Sequence, residues 1–177
     1  MPDRLTRARP AWVDFVLVVG MFAVAGVICA FIWEWVWTAP YGLVYDHQWM
    51  AEDEAALQGQ FSGTGWYVVI ASLGGLVVGA LAALFVDRRP LLTLAAVVVG
   101  SVLATFLMIR IGAALGPTDP HTLAKHAVDA TRLPGSLTVS EWSPWIAFTG
   151  GALVALVLVF IGLSPRRDAQ AEDLAAG

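Results

Sequence analysis

Residues 12–37 read WVDFVLVVGMFAVAGVICAFIWEWVW, an apolar run interrupted only by Asp14 and Glu34 and closed at both ends by tryptophan. At a rise of about 1.5 Å per residue, a helix of this length crosses the ~30 Å hydrocarbon core of a bilayer. The run is far longer than the apolar core of a signal peptide, about 7–15 residues, and no small-residue cleavage site closes it. Its FIWEWVW end carries the tryptophan enrichment of a membrane–water interface. A first transmembrane helix is expected over Trp12–Trp37, preceded by a basic N-terminus (residues 1–11) with Arg4, Arg7 and Arg9.

Three further runs share this character and predict spans over residues 66–86, 91–115 and 145–163. Asp87-Arg88-Arg89-Pro90 reads as a tight turn, with Pro90 in the first turn of the next helix. Ser164-Pro165-Arg166-Arg167 reads as a stop, and residues 164–177 as a flexible tail too poor in apolar surface to fold alone. Hydrophobic residues make up 58% of the chain and charged residues 14%, against about 25% charged in a soluble domain. The expected fold is therefore an all-α membrane protein, a four-transmembrane-helix antiparallel bundle. Two loops, 38–64 and 116–144, are expected to form a small extracytoplasmic cap.

Orientation follows from the basic residues. Arg4, Arg7, Arg9, Arg88, Arg89, Arg166 and Arg167 fall at one end of the spans, Lys125 and Arg132 at the other, and Arg110 inside the third span. Positive charge stays inside, so both termini are expected to be cytoplasmic in a multi-pass protein of the inner (plasma) membrane. The net charge of -4 and the absence of a basic stripe argue against a nucleic-acid partner. Cys29 is the single cysteine, which excludes an intramolecular disulfide.

Charges within apolar spans are costly and mark candidate sites. Glu34 and Arg110 lie at similar depths and are expected to pair across the bundle as a clamp; alternatively they reach the outer interface separately, and as part of a polar path they would suit a transporter or channel subunit. Asp14 sits in the first turn of its helix, where the dipole favours a carboxylate. Small residues recur on the second span as Ala71, Gly75, Gly79 and Ala83, a stripe suited to close helix packing within the bundle or, alternatively, to a homodimer through Gly75 and Gly79.

The second loop reads as a short helix capped by Asp119 with Pro120 following, continuing through HTLAKHAVDAT. Its Asp119, His121, Lys125, His126, Asp129 and Arg132 are the candidate recognition surface, with Lys125 and Arg132 spaced to pair with Asp129. Leu137-Thr138-Val139 alternates like a strand, with Leu43–Tyr45 in the first loop as its expected partner. Ser62-Gly63-Thr64-Gly65 reads as a break before the second span. Asp46, His47 and His121 are the candidate metal ligands. On a helix, however, His121 and His126 would diverge by about 140°, and no HExxH, CxxC or facial-triad spacing occurs. No metal, cofactor or catalytic residue is expected.

Leu115-Gly116-Pro117 after the third span, Ser143-Pro144 before the fourth and Gly65-Trp66 opening the second resemble motifs of a group of actinobacterial four-helix membrane proteins without an assigned activity. The resemblance covers Phe31–Leu163 and implies topology and an actinobacterial range, not a mechanism. The expected role is non-enzymatic: an accessory, assembly or interaction protein presenting its cap to an envelope or membrane-complex partner. A transporter subunit and a metal-dependent envelope enzyme are the alternatives. For the topology, single cysteines placed at Ser136 and Gln170 should differ under a membrane-impermeant thiol reagent, with only Ser136→Cys labelled from outside; the reverse result would invert the orientation.

Overall fold

The computed structural model of the chain describes residues 10–85, 90–139 and 143–175. The arginines at 4, 7 and 9, the 87–89 turn and Trp142 lie outside them. Four long helices dominate: α1 (Ala11–Val36), α2 (Glu54–Phe85), α3 (Pro90–Leu115) and α5 (Ala147–Ala175). Between them lie a short α4 (Pro120–Ala124), a 3-10 turn (Ser143–Ile146) and three strands, β1 (Tyr41–Tyr45), β2 (Gln48–Ala51) and β3 (Arg132–Pro134). Three helices, α1, α2 and α3, are long and apolar enough to cross a membrane, and the apolar part of α5, Ala147–Gly162, is shorter.

The closest helix neighbours are not consecutive in sequence. α1 packs chiefly on α3, and α2 on α5. Phe22 meets Gly100, Gly26 meets Ala104 and Trp33 meets Gly112, so residue numbers rise together and the α1/α3 pair is parallel. Gly75 against Phe148 and Gly79 against Ala152 make α2/α5 a second parallel pair. The two pairs join in antiparallel fashion, through Trp33 and Trp37 near Gly63 and through Ser101–Thr149 at 3.0 Å.

Small residues dictate this choice. Lipid removes the hydrophobic drive between helices, leaving close backbone contact and dispersion as the main attraction. A Cβ at Gly26 would lie 2.6 Å from the Ala104 carbonyl oxygen, and one at Gly79 equally near that of Ala152. Gly75 and Gly79 are thus covered by α5 within the chain, and the face a homodimer would need there is already occupied.

Two boundaries differ from the sequence expectation. α2 is one helix of 32 residues from Glu54 and does not break at Ser62–Gly65. Of the two glycines read as breakers, Gly63 serves close approach beside the Trp37 indole, whereas Gly65 meets nothing within 4 Å; Gly59, one turn earlier, lies under Pro40. A glycine inside a helix costs about 1 kcal/mol of helix propensity relative to alanine, which tertiary contact overrides. At the other end, α5 continues through Ser164–Arg167 to Ala175, so the segment expected to be a flexible tail is helical.

The second strand partner is also reassigned. β1 pairs with β3 in the register Gly42↔Leu133, whereas residues 137–139 pair with no strand among the described residues. Their alternation reflects burial against the bundle: Leu137 is fully buried beside Gly116 and Gly63, and Val139 packs on the core. The Thr105 hydroxyl donates to the Trp145 carbonyl at 3.4 Å, which sets the start of α5 level with Thr105, about 15 Å short of the end of α3 at Leu115. The extended chain around Leu137 fills the fourth corner of the bundle above it.

Trp33 holds this end together. It is fully buried rather than interfacial, its indole N–H donates to the Gly63 carbonyl at 2.8 Å, and its ring meets Tyr67 edge-on at 5.3 Å. Trp35, by contrast, is 83% exposed, as an interfacial tryptophan should be.

Packing at the glycines separates two outcomes. Gly26→Ala should lower stability by about 1–3 kcal/mol through overpacking. Gly20→Ala, with nothing within 4 Å of the new Cβ, should leave it unchanged or raise it by up to about 1 kcal/mol. Thermal unfolding of both variants in one detergent checks the contrast.

Candidate recognition cap

The cap is built from both loops. GLVY and QWMA form a hairpin whose two turn residues, Asp46 and His47, have φ of 48° and 58°. A two-residue turn with both residues left-handed matches the twist of a hairpin, and Asp at its first position tolerates that conformation. β3 from the second loop adds to the free edge of β1, and flanking bonds extend the seam: Gly135 N–H to the Pro40 carbonyl at 2.7 Å and Ala130 N–H to the Val44 carbonyl at 2.8 Å.

One face of this sheet has its own small core. Val44, Trp49 and Ala124 are buried together, with Ala127 and Leu133 against them, so α4 covers the sheet. Gly42 leaves room for the Trp49 ring, and the Trp49 indole N–H donates to the Leu133 carbonyl at 3.0 Å, linking the loops across 84 residues. The Asp119 cap forms as expected, its carboxylate accepting from the His121 N–H at 3.0 Å. The helix behind it stops at Ala124, well short of the expected HTLAKHAVDAT length; Ala130, at φ 67°, turns the chain into β3 instead.

The outer face is polar and aromatic. Arg132 lies beside Tyr41, its guanidinium 4.4 Å from the ring centroid, and its Nε donates to Glu52 at 2.7 Å. Arg132 therefore pairs with the first loop and not with Asp129. This is the one ion pair within 4 Å among the described residues. Below it, an open cleft of about 340 Å³ is lined by Pro40, Tyr41, Glu52, Asp53, Ser62 and Arg132 among others. A second, of about 420 Å³, lies between β2 and α2, lined by Trp49, Met50, Ala51, Leu57, Gln60 and His121.

The other expected site residues are dispersed. Lys125, His126 and Asp129 are exposed and unpaired by salt bridges among the described residues. Asp46 and His47 occupy the hairpin tip, while His121 meets the Trp49 ring edge-on at 5.9 Å. No group of three or more His, Cys, Asp or Glu side chains is arranged to hold a metal ion among the described residues.

Glu34 and Arg110 form no ion pair within 4 Å. Arg110 faces outward with its guanidinium 5.8 Å from the Phe106 ring centroid, one turn back on its own helix. It stands five residues beyond Thr105 toward the cap, about 7.5 Å above the start of α5, where a long side chain can reach the polar interface. The similar depth read from sequence agrees with the parallel register, in which Trp33 lies beside Gly112 and Glu34 and Arg110 differ by about 4.5 Å, but similar depth does not settle direction around the helix axis.

No protein-family model, curated protein or solved structure matches the chain. The residues that sequence reasoning missed, Tyr41, Glu52 and Trp49, carry no local signal for their partners, which lie in the other loop. Trp49→Phe should cost about 1 kcal/mol by removing the indole bond to Leu133. Arg110→Leu should change stability by no more than about 0.5 kcal/mol, the usual range for an exposed side chain. A larger loss on unfolding of the Arg110 variant would restore the clamp.

Proposed function

We propose that this chain is a small multi-pass membrane accessory protein that presents a folded cap to a membrane or envelope partner. The observation that carries this reading is the sheet made jointly by two loops far apart in sequence. Ordering so many loop residues costs conformational entropy of about 1–2 kcal/mol each, and a connector that only joined helices would need none of it. The basic residues Arg4, Arg7, Arg9, Arg88, Arg89, Arg166 and Arg167 support an orientation with both termini cytoplasmic and the cap outside.

The alternatives have less support. A transporter would draw on polar groups lining a path. The buried hydroxyls among the described residues are those of Thr93, Ser101, Thr105 and Tyr67; those of Ser101 and Thr105 bond to Val98, Thr149 and Trp145, and that of Tyr67 has no hydrogen-bond partner among the described residues. Small hydroxyls satisfied in this way hold helices together. A metal-dependent enzyme would draw on converging ligands, and Asp46, His47 and His121 do not form such a group.

Affinity purification from native membranes in a mild detergent, with metal analysis on the same sample, tests the proposal. A stoichiometric protein partner and no stoichiometric metal are expected. A clean monomer across several detergents would overturn the reading.

A further inference from the structure

At about 1.5 Å per residue, α2 is about 48 Å long, whereas a hydrocarbon core is ~30 Å thick. Trp66, 44% exposed, marks where the apolar span begins. The three turns from Glu54 to Gly65 stand beyond it on the cap side. Among the exposed Glu54, Gln58 and Gln60 their open side carries two large apolar side chains: Phe61 is 76% exposed and Leu57 52%, beside Met50 at 53% and the 420 Å³ cleft lined by Trp49. Leu57, Phe61, Gly65 and Val69 follow one another at four-residue spacing, so this stripe is continuous with the lipid-facing side of the helix.

Lipid is a poor occupant for the upper part of this stripe. Leu57 lies about 13 Å beyond Trp66 along the helix, past the reach of acyl chains. The surroundings are also acidic. Asp46, Glu52, Asp53, Glu54, Asp119 and Asp129 face only Lys125 and Arg132 among the described cap residues, a balance that repels anionic headgroups. The same surplus disfavours a second copy of the chain, since an isologous contact would bring like charges together.

We propose that this stripe is the docking face for a different membrane protein, whose transmembrane helix lies along α2 and extends beyond the bilayer with an apolar face ending in Lys or Arg. The apolar extension packs on Phe61 and Leu57 and sends a side chain into the cleft beside Trp49. Its basic end meets Glu54, since the Asp53 carboxylate accepts from the Ala56 N–H at 2.7 Å and lines the other cleft. The proposal rests on the accessory reading and names the surface and partner chemistry it would use.

The test places a photo-crosslinking p-benzoylphenylalanine at position 61 of the full chain in native membranes, alongside quantitative co-purification. The expected adduct joins position 61 to the end of a transmembrane helix bearing Lys or Arg. Phe61→Glu and Leu57→Glu should each reduce the recovered partner by about tenfold or more, the effect of losing a hot-spot contact. Glu54→Lys should weaken recovery more than Glu54→Gln does. Phe61 and Leu57 are exposed, so the melting temperature of the purified variants should stay at the wild-type value. If wild-type chain recovers a partner that Phe61→Glu retains undiminished, the docking face is wrong and the accessory reading stands. If wild-type chain recovers none, both fall. An adduct with lipid, or with a second copy of this chain, overturns the proposed occupant.

Discussion

The buried indole of Trp33 is the contact on which the cap end of the molecule depends. Its N–H is satisfied by the Gly63 carbonyl of α2, its six-membered ring fills the space that a side chain at position 112 of α3 would need, and it makes an edge-type ring contact with Tyr67. One side chain thereby fixes three helices at the level where the loops leave the bundle. An indole N–H buried without a partner would cost about 1–3 kcal/mol, and Gly63 can answer it only because α2 remains helical through the Ser62–Gly65 segment. The continuity of α2 and the position of the cap are therefore one constraint. If α2 broke at Gly63, the hairpin before it would lose its foundation.

Below Trp33 the bundle is held by a different means. Gly26 on Ala104 and Gly79 on Ala152 bring backbones into direct contact, and the contacts are parallel because each joins long helices separated by one other long helix in sequence. This arrangement lets each tight pair form without the turn between consecutive helices dictating its register. It also leaves the join between pairs to fewer, more specific groups, such as Trp33 with Gly63 and Ser101 with Thr149. The late start of α5, level with Thr105, follows from its pairing with α2, and the resulting gap is what the buried Leu137 closes.

Much of the helical architecture was legible in the sequence, and the reasons for the exceptions are physical. Long apolar runs fix where helices exist because nothing else satisfies backbone groups in lipid. Small residues at four-residue spacing announce close packing but do not say against which helix, since glycine on one surface fits any partner with an equally small one. Glycine is also ambiguous within a helix. At Gly63 it serves close approach, although in the Ser62–Gly65 stretch it reads as a break. The alternation at 137–139 was real, but a chain lying on a bundle alternates as a strand does. For the candidate site, the Asp119 cap and the β1 segment were visible because they are local. Arg132 with Glu52 and Trp49 with Leu133 were not, because their partners are 80 and 84 residues away and the nearer Asp129 offered a plausible substitute.

The distribution of polar groups gives the molecule its division of labour. In the described core the buried polar groups are short hydroxyls, the Trp33 indole N–H and the Tyr67 hydroxyl, and the Ser101 and Thr105 hydroxyls are engaged by helix partners. The histidines and most of the described carboxylates lie instead in the turns, α4 and the first turn of α2, around a three-stranded sheet that neither loop could form alone. β1 has a partner on each side only when both loops are present, and its inner face is dry only when α4 lies over Trp49. The cap's outer surface is consequently as well defined as the bundle beneath it, despite being built from connections. A surface held that firmly, acidic at the first turn of α2 and apolar just below, can discriminate among neighbours in the same membrane by both charge and shape. Neither criterion would suffice alone, since apolar helix faces are common in a bilayer and exposed charges are screened within about 10 Å at ordinary ionic strength.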